Sequence, residues 1–94
     1  MEDISLQEEK LDPILKENLQ KSPAQVLPVI IQTTDGLKEE DKEILRTLGG
    51  KLKDDLYIIN AFSAELPAKA LASLVLSPRV TRIYYDAEIQ AIEL

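Results

Sequence analysis

Side chains of the types needed for chemistry gather at three places in the sequence. Glu39-Glu40-Asp41 is a run of carboxylates that could hold a cation, and Asp54-Asp55 is an adjacent pair of the kind that serves acid–base work. Ser63 is a hydroxyl that could act as a nucleophile. Each fails for want of a partner. The 94 residues include no His and no Cys. Without an imidazole nothing stands ready to take the Ser63 proton, and a Ser-His-Asp site cannot be assembled. Without a thiol there is no thiolate nucleophile, no disulfide and no thiolate-bound zinc. A calcium or magnesium cage needs oxygens that converge from more than one turn of chain. Three successive acids are better read as the first turn of a helix, where the backbone dipole favours negative charge. Asp54-Asp55 reads as a solvated bend. The chain is therefore expected to be non-catalytic and to need no cofactor or metal.

The charge balance narrows the choice of partner. Seventeen acids against 11 bases give a formal net charge of −6. A nucleic-acid backbone is repelled by that balance, and no basic stripe interleaved with aromatics offsets it. Gly36, Gly49 and Gly50 are too scattered for a phosphate-cradling loop. Uninterrupted apolar runs are only a few residues long, so no membrane span is expected. The first seven residues, Met1-Glu2-Asp3-Ile4-Ser5-Leu6-Gln7, lack the basic and apolar segments of a signal peptide. The expectation is an intracellular protein, or a secreted precursor whose leader has been removed.

The elements that would position these groups follow from periodicity and punctuation. Asp12-Pro13 reads as a helix start, with Leu11, Ile14, Leu15 and Leu19 on one stripe and Ser22-Pro23 as the stop. The run Val26-Leu27-Pro28-Val29-Ile30-Ile31-Gln32 fits a strand covered on much of both faces, with Pro28 near its start. After a turn at Thr33-Thr34-Asp35-Gly36, residues 37–48 read as a helix with Leu37, Ile44, Leu45 and Leu48 on one face. Gly49-Gly50 ends it, one glycine supplying a left-handed terminal conformation. Residues 51–59 read as a strand and Asn60-Ala61 as a reversal. Phe62, Ala64 and Leu66 then alternate with Ser63 and Glu65. Pro67 is expected to start a third helix carrying Ala70, Leu71, Leu74 and Val75, and residues 80–85 to form the last strand. Beside Ile83 on the helix-covered side, Arg82 and Tyr84 should point to the opposite face.

Strand, helix, strand, strand, helix, strand is the order of the ferredoxin-like split βαββαβ fold, an α+β architecture. Right-handed crossovers place both helices on one face of a four-stranded antiparallel sheet. Residues 1–23 then form an extension with its own helix, 24–86 the main domain and 87–94 a C-terminal tail. The second sheet face has no helices of its own. Either the extra helix covers an edge or part of it, or another protein does.

The ordered set Ile59-Asn60-Ala61-Phe62-Ser63-Ala64-Glu65-Leu66-Pro67, then Ser77-Pro78-Arg79-Val80, Ile83 and Asp86, resembles the N-terminal propeptides of subtilisin-like serine proteases. It also resembles the free-standing inhibitors related to them. The likeness covers residues 26–94 and is densest over 59–86. It implies an intramolecular chaperone that also keeps a zymogen inactive, as a product-like, tight-binding inhibitor of the protease domain. The open sheet face would pack on a pair of protease helices through Arg82, Tyr84, Asp86, Ser63 and Glu65. The tail would lie in the substrate cleft through Ala91, Ile92, Glu93 and Leu94. With Leu94 in the first specificity pocket, Ala91 sits three residues upstream; Ile92 is the alternative end of the bound segment. Asp86 matches the acid that caps a protease helix, whereas Tyr84 departs from a second acid found in many relatives. Two other readings are a stand-alone intracellular subtilase inhibitor and a ferredoxin-like regulatory module for a small ligand. The leading helix adds apolar surface, so the chain is expected to fold alone.

Overall fold

The computed structural model describes residues 9–86. The chain enters through a short extended stretch and then helix α1, Pro13–Lys21. One Asp12 carboxylate oxygen accepts from the Ile14 N–H at 2.9 Å, and Pro13 occupies the first turn, where no donor is lost. Strand β1, Val26–Thr33, follows, then helix α2, Glu39–Thr47, and strand β2, Lys51–Leu56. A 3-10 turn at Tyr57–Ile59 leads to strand β3, Ala61–Pro67. A second 3-10 turn, Ala68–Ala70, runs into the one-turn helix α3, Leu71–Leu74, and strand β4, Val80–Tyr85, completes the fold.

The strands lie in the order β2-β3-β1-β4, every neighbour antiparallel. This is the ferredoxin-like split βαββαβ arrangement with an additional helix at its head. Alternation sorts the side chains. Leu27, Val29 and Ile31 of β1, Phe62, Ala64 and Leu66 of β3, and Val80 and Ile83 of β4 are buried together. Leu45 of α2, and Ala68, Ala70, Leu71, Leu74 and Val75 from the second crossover, close over them. Leu37 and Leu48 pack half-buried against this core, as does Tyr85.

The extra helix takes one of the two places open to it. Leu11 pairs in parallel with Ile83, Asp12 N–H donates to the Ile83 carbonyl at 3.0 Å, and Ile83 N–H donates to the Lys10 carbonyl at 2.8 Å. The leading segment thus covers the outer edge of β4, which would otherwise offer unpaired backbone groups. Lys10 Nζ ties the same segment to the Val75 and Ser77 carbonyls at 3.0 and 3.2 Å. Leu11 and Leu15 join the core on the helix-covered side. Each such side chain stabilises by about 1.5–3 kcal/mol when fully buried.

Four sequence expectations need correction. The strand expected over 51–59 stops at Leu56, because the chain turns there into the Tyr57–Ile59 3-10 segment and Asn60 takes a left-handed φ of 55°. Pro67 ends β3 rather than starting a helix, and the regular part of the third helix is only Leu71–Leu74. Ile14 and Ile44 sit at the margins of their stripes and are exposed. Asp41 is no solvated acid: it is 7% exposed. The turn at Gly49-Gly50 forms as expected. Gly49 has a φ of 82°, and a Cβ on Gly50 would lie 3.0 Å from the Leu66 Cβ and 3.1 Å from the Glu65 carbonyl oxygen.

Candidate docking face

The side of the sheet away from the helices is built as a set of cross-strand rows. Leu56, Ala61, Gln32 and Arg82 form one row, from β2 through β3 and β1 to β4. Asp54, Ser63, Ile30 and Tyr84 form the next, and Lys51, Glu65 and Pro28 the third. Val26 and Pro67 make the last pair. Asp86 lies beyond the end of β4, its N–H donating to the Pro28 carbonyl at 2.9 Å. Among the described residues no helix lies on this side, since α1 packs at the β4 edge and on the core face.

The face has a definite chemistry. Tyr84 is 40% exposed, and the Arg82 guanidinium carbon lies 5.7 Å from its ring centroid, within cation–π range. That pairing holds two long side chains in one orientation and leaves an aromatic plane beside Ile30. Lys53, at an irregularity in β2, reaches Glu65 across the sheet at 3.8 Å. Ser63 is only 7% exposed although its register puts it on this side, because it is short and sits mid-sheet among longer neighbours. Its hydroxyl has no imidazole or amine within hydrogen-bonding reach among the described residues. Of the residues named from sequence, Arg82, Tyr84, Ser63 and Glu65 thus share one surface, and Asp86 adjoins it. Ala91, Ile92, Glu93 and Leu94 fall outside the described residues. Sequence reading omitted Ile30, Gln32 and Pro28, which the even positions of the β1 run would have supplied.

A second polar cluster joins the β1–α2 loop, the first turn of α2 and the start of β4. Arg79 Nη1 and Nη2 donate to the two Asp41 oxygens at 2.6 and 3.1 Å. Arg79 Nε donates to Asp35 Oδ1 at 3.0 Å, and Nη2 also donates to the Gly36 carbonyl at 2.8 Å. Glu40 stands 3.5 Å from the same guanidinium. Asp41 in turn accepts from the Lys38 N–H at 2.7 Å, closing the first turn of α2. The hydrogen bonds to Asp41, then Asp35, raise the Arg79 pKa, and the Arg79 hydrogen bond lowers that of Asp35. One arginine thus clamps the β1–α2 loop, the α2 N-terminus and the start of β4. Glu39 leans instead on Lys42 at 3.1 Å. Of the 39–41 run, Glu40 and Asp41 thus face Arg79 while Glu39 faces Lys42, and no group of three or more side chains that could hold a metal ion occurs among the described residues.

Set against protein-family models and against curated proteins, the sequence finds no match. No helix among the described residues is long and apolar enough to cross a membrane.

Proposed function

We propose that the chain is the propeptide of a subtilisin-like serine protease, assisting the folding of the protease domain and then inhibiting it. The observation that supports this reading is the sheet face on which no helix lies among the described residues. A four-stranded sheet that buries one side under three helices and presents Ile30, Arg82 and Tyr84 on the other has the form of a docking platform. A flat platform of this kind suits the surface of a helix pair. In this reading Asp86, at the margin, would meet a helix N-terminus, whose exposed N–H groups and dipole favour an anion by about 0.3–1 kcal/mol. The tail 87–94 supplies the second half of the mechanism. Lying extended in the substrate cleft, it adds a strand to the enzyme, with backbone hydrogen bonds for affinity and alternate side chains for pocket selection. Folding assistance follows if the face stabilises the protease helices in the folding transition state as well as in the native state.

The test is a titration of a purified subtilisin-type protease with the full chain and with a version ending at Asp86. The full chain should inhibit. The shortened chain should bind yet leave the cleft open, so that inhibition is lost while a complex still forms. A full chain without effect on protease activity refutes the reading and leaves the regulatory-module alternative.

A further inference from the structure

The turn between β2 and β3 carries three large apolar side chains in the open. Tyr57 is 72% exposed, Ile58 83% and Ile59 52%. They protrude from a 3-10 turn fixed at its end by the left-handed Asn60, whose N–H donates to the Tyr57 carbonyl at 3.2 Å. The turn is therefore a shaped knuckle. Its apolar surface is on the order of 400 Å², within the range of the largest apolar patch on an ordinary monomer, which is often functional. A stable pair of identical proteins needs roughly 800 Å² from each partner, about twice what the knuckle offers alone.

The knuckle is continuous with the docking face. Gln32, on that face, donates from Nε2 to the Ile59 carbonyl at 3.1 Å. Leu56, the first residue before the knuckle, heads the row that runs through Gln32 to Arg82. A body lying on the face therefore meets the knuckle at its border. The flank of the knuckle is acidic: Asp54 and Asp55 are exposed, and neither has a salt-bridge partner among the described residues. Together with the net charge of −6, that flank repels an anionic lipid surface and suits a basic rim.

We infer that Tyr57, Ile58 and Ile59 form an anchor that enters an apolar, basic-rimmed hollow on the same protease domain that covers the sheet face. The inference rests on the docking proposed above and adds to it a third contact, separate from face and tail. Such a projecting element fixes rotation of the platform on its partner, which a flat face alone leaves loose. Its loss should act mainly on the off-rate.

Inhibition of a subtilisin-type protease by the full chain is measured for the natural sequence, Ile58→Ser, Ile58→Asp, Ile58→Lys and Tyr84→Ala. Ile58→Ser should weaken inhibition about tenfold or more with an unchanged thermal midpoint, and Ile58→Lys should weaken it more than Ile58→Asp. If Tyr84→Ala weakens inhibition and the Ile58 variants do not, the anchor is overturned while the docking reading stands. No inhibition by the natural chain overturns both. Equal losses for Asp and Lys remove the basic rim. A dimer in sedimentation that Ile58→Ser dissociates, or binding to phosphatidylserine vesicles that it abolishes, assigns the knuckle to a second copy or to lipid and overturns the inference.

Discussion

At the scale of single residues, Arg79 ties the β1–α2 loop, the first turn of α2 and the start of β4 together. Its five N–H donors in a rigid plane let it satisfy Asp41 through both oxygens and still reach Asp35 and the Gly36 carbonyl. A lysine offers a point charge and cannot meet three partners in that geometry. Arg79→Met leaves Asp41 buried with the Lys38 N–H as its remaining strong donor. Removing one partner from a buried pair costs on the order of 3 kcal/mol. Urea unfolding should show that loss, with Arg79→Lys falling between Met and the natural residue. A shift of under about 0.5 kcal/mol for Met, the range of ordinary surface substitutions, would show the clamp to be idle. The sequence gives half of this arrangement. An acidic first turn is legible in Glu39-Glu40-Asp41. That Asp41 is the buried member is not, because its partner is 38 positions away and no periodicity links them.

At the scale of elements, helix α1 is the part that most plainly answers to its sequence. The Asp12-Pro13 start and the Ser22-Pro23 stop bound it correctly. Of its apolar stripe, Leu15 is fully buried and Ile14, one position off the centre of the seam, is exposed. Leu15→Ala should therefore cost about 2–5 kcal/mol in denaturant unfolding, whereas Ile14→Ala should cost under about 0.5 kcal/mol. Equal effects would mean the helix is only loosely seated. The pairing of Lys10, Leu11 and Asp12 with Ile83 was not legible, since a parallel bridge between distant segments leaves no local pattern. The end of β2 was misread for a different reason. Tyr57-Ile58-Ile59 has strong strand propensity, yet propensity measures fit to a half-buried pleated surface, and no such surface exists beyond Leu56. The fold class, in contrast, could be read from the succession of elements, because periods two and 3.6 in that order leave few right-handed topologies.

At the scale of the whole molecule, the absence of His sets the response to pH. Carboxylates titrate near 4 and lysines above 10, so a chain without His or Cys has no side chain with an ordinary pKa between about 5 and 8. Its stability should be level across that window. Below it the sign is fixed by carboxylates whose folded pKa is depressed. Asp35 is held down first by its hydrogen bond from Arg79, and Glu17 by its hydrogen bond from Lys21. A group with a depressed folded pKa binds its proton less readily when folded. The stability it contributes is present above the unfolded value of about 4 and disappears as pH falls through the folded one. Thermal midpoints should thus stay constant from about pH 5.5 to 8 and fall in acid, with the Asp35 share of that fall missing in Arg79→Met. The same reasoning extends to the complex. In the proposed complex with a serine protease, the imidazole of the enzyme's Ser-His-Asp centre would be the side chain that titrates in this window. Any change in inhibition between pH 5.5 and 8 should therefore track the enzyme's own titration, and the pH profile of binding to an enzyme whose catalytic histidine is replaced should be flatter than that to the intact enzyme. A pronounced loss of binding that follows this chain's own unfolding curve in that window would instead place the sensitivity in this chain, against its composition.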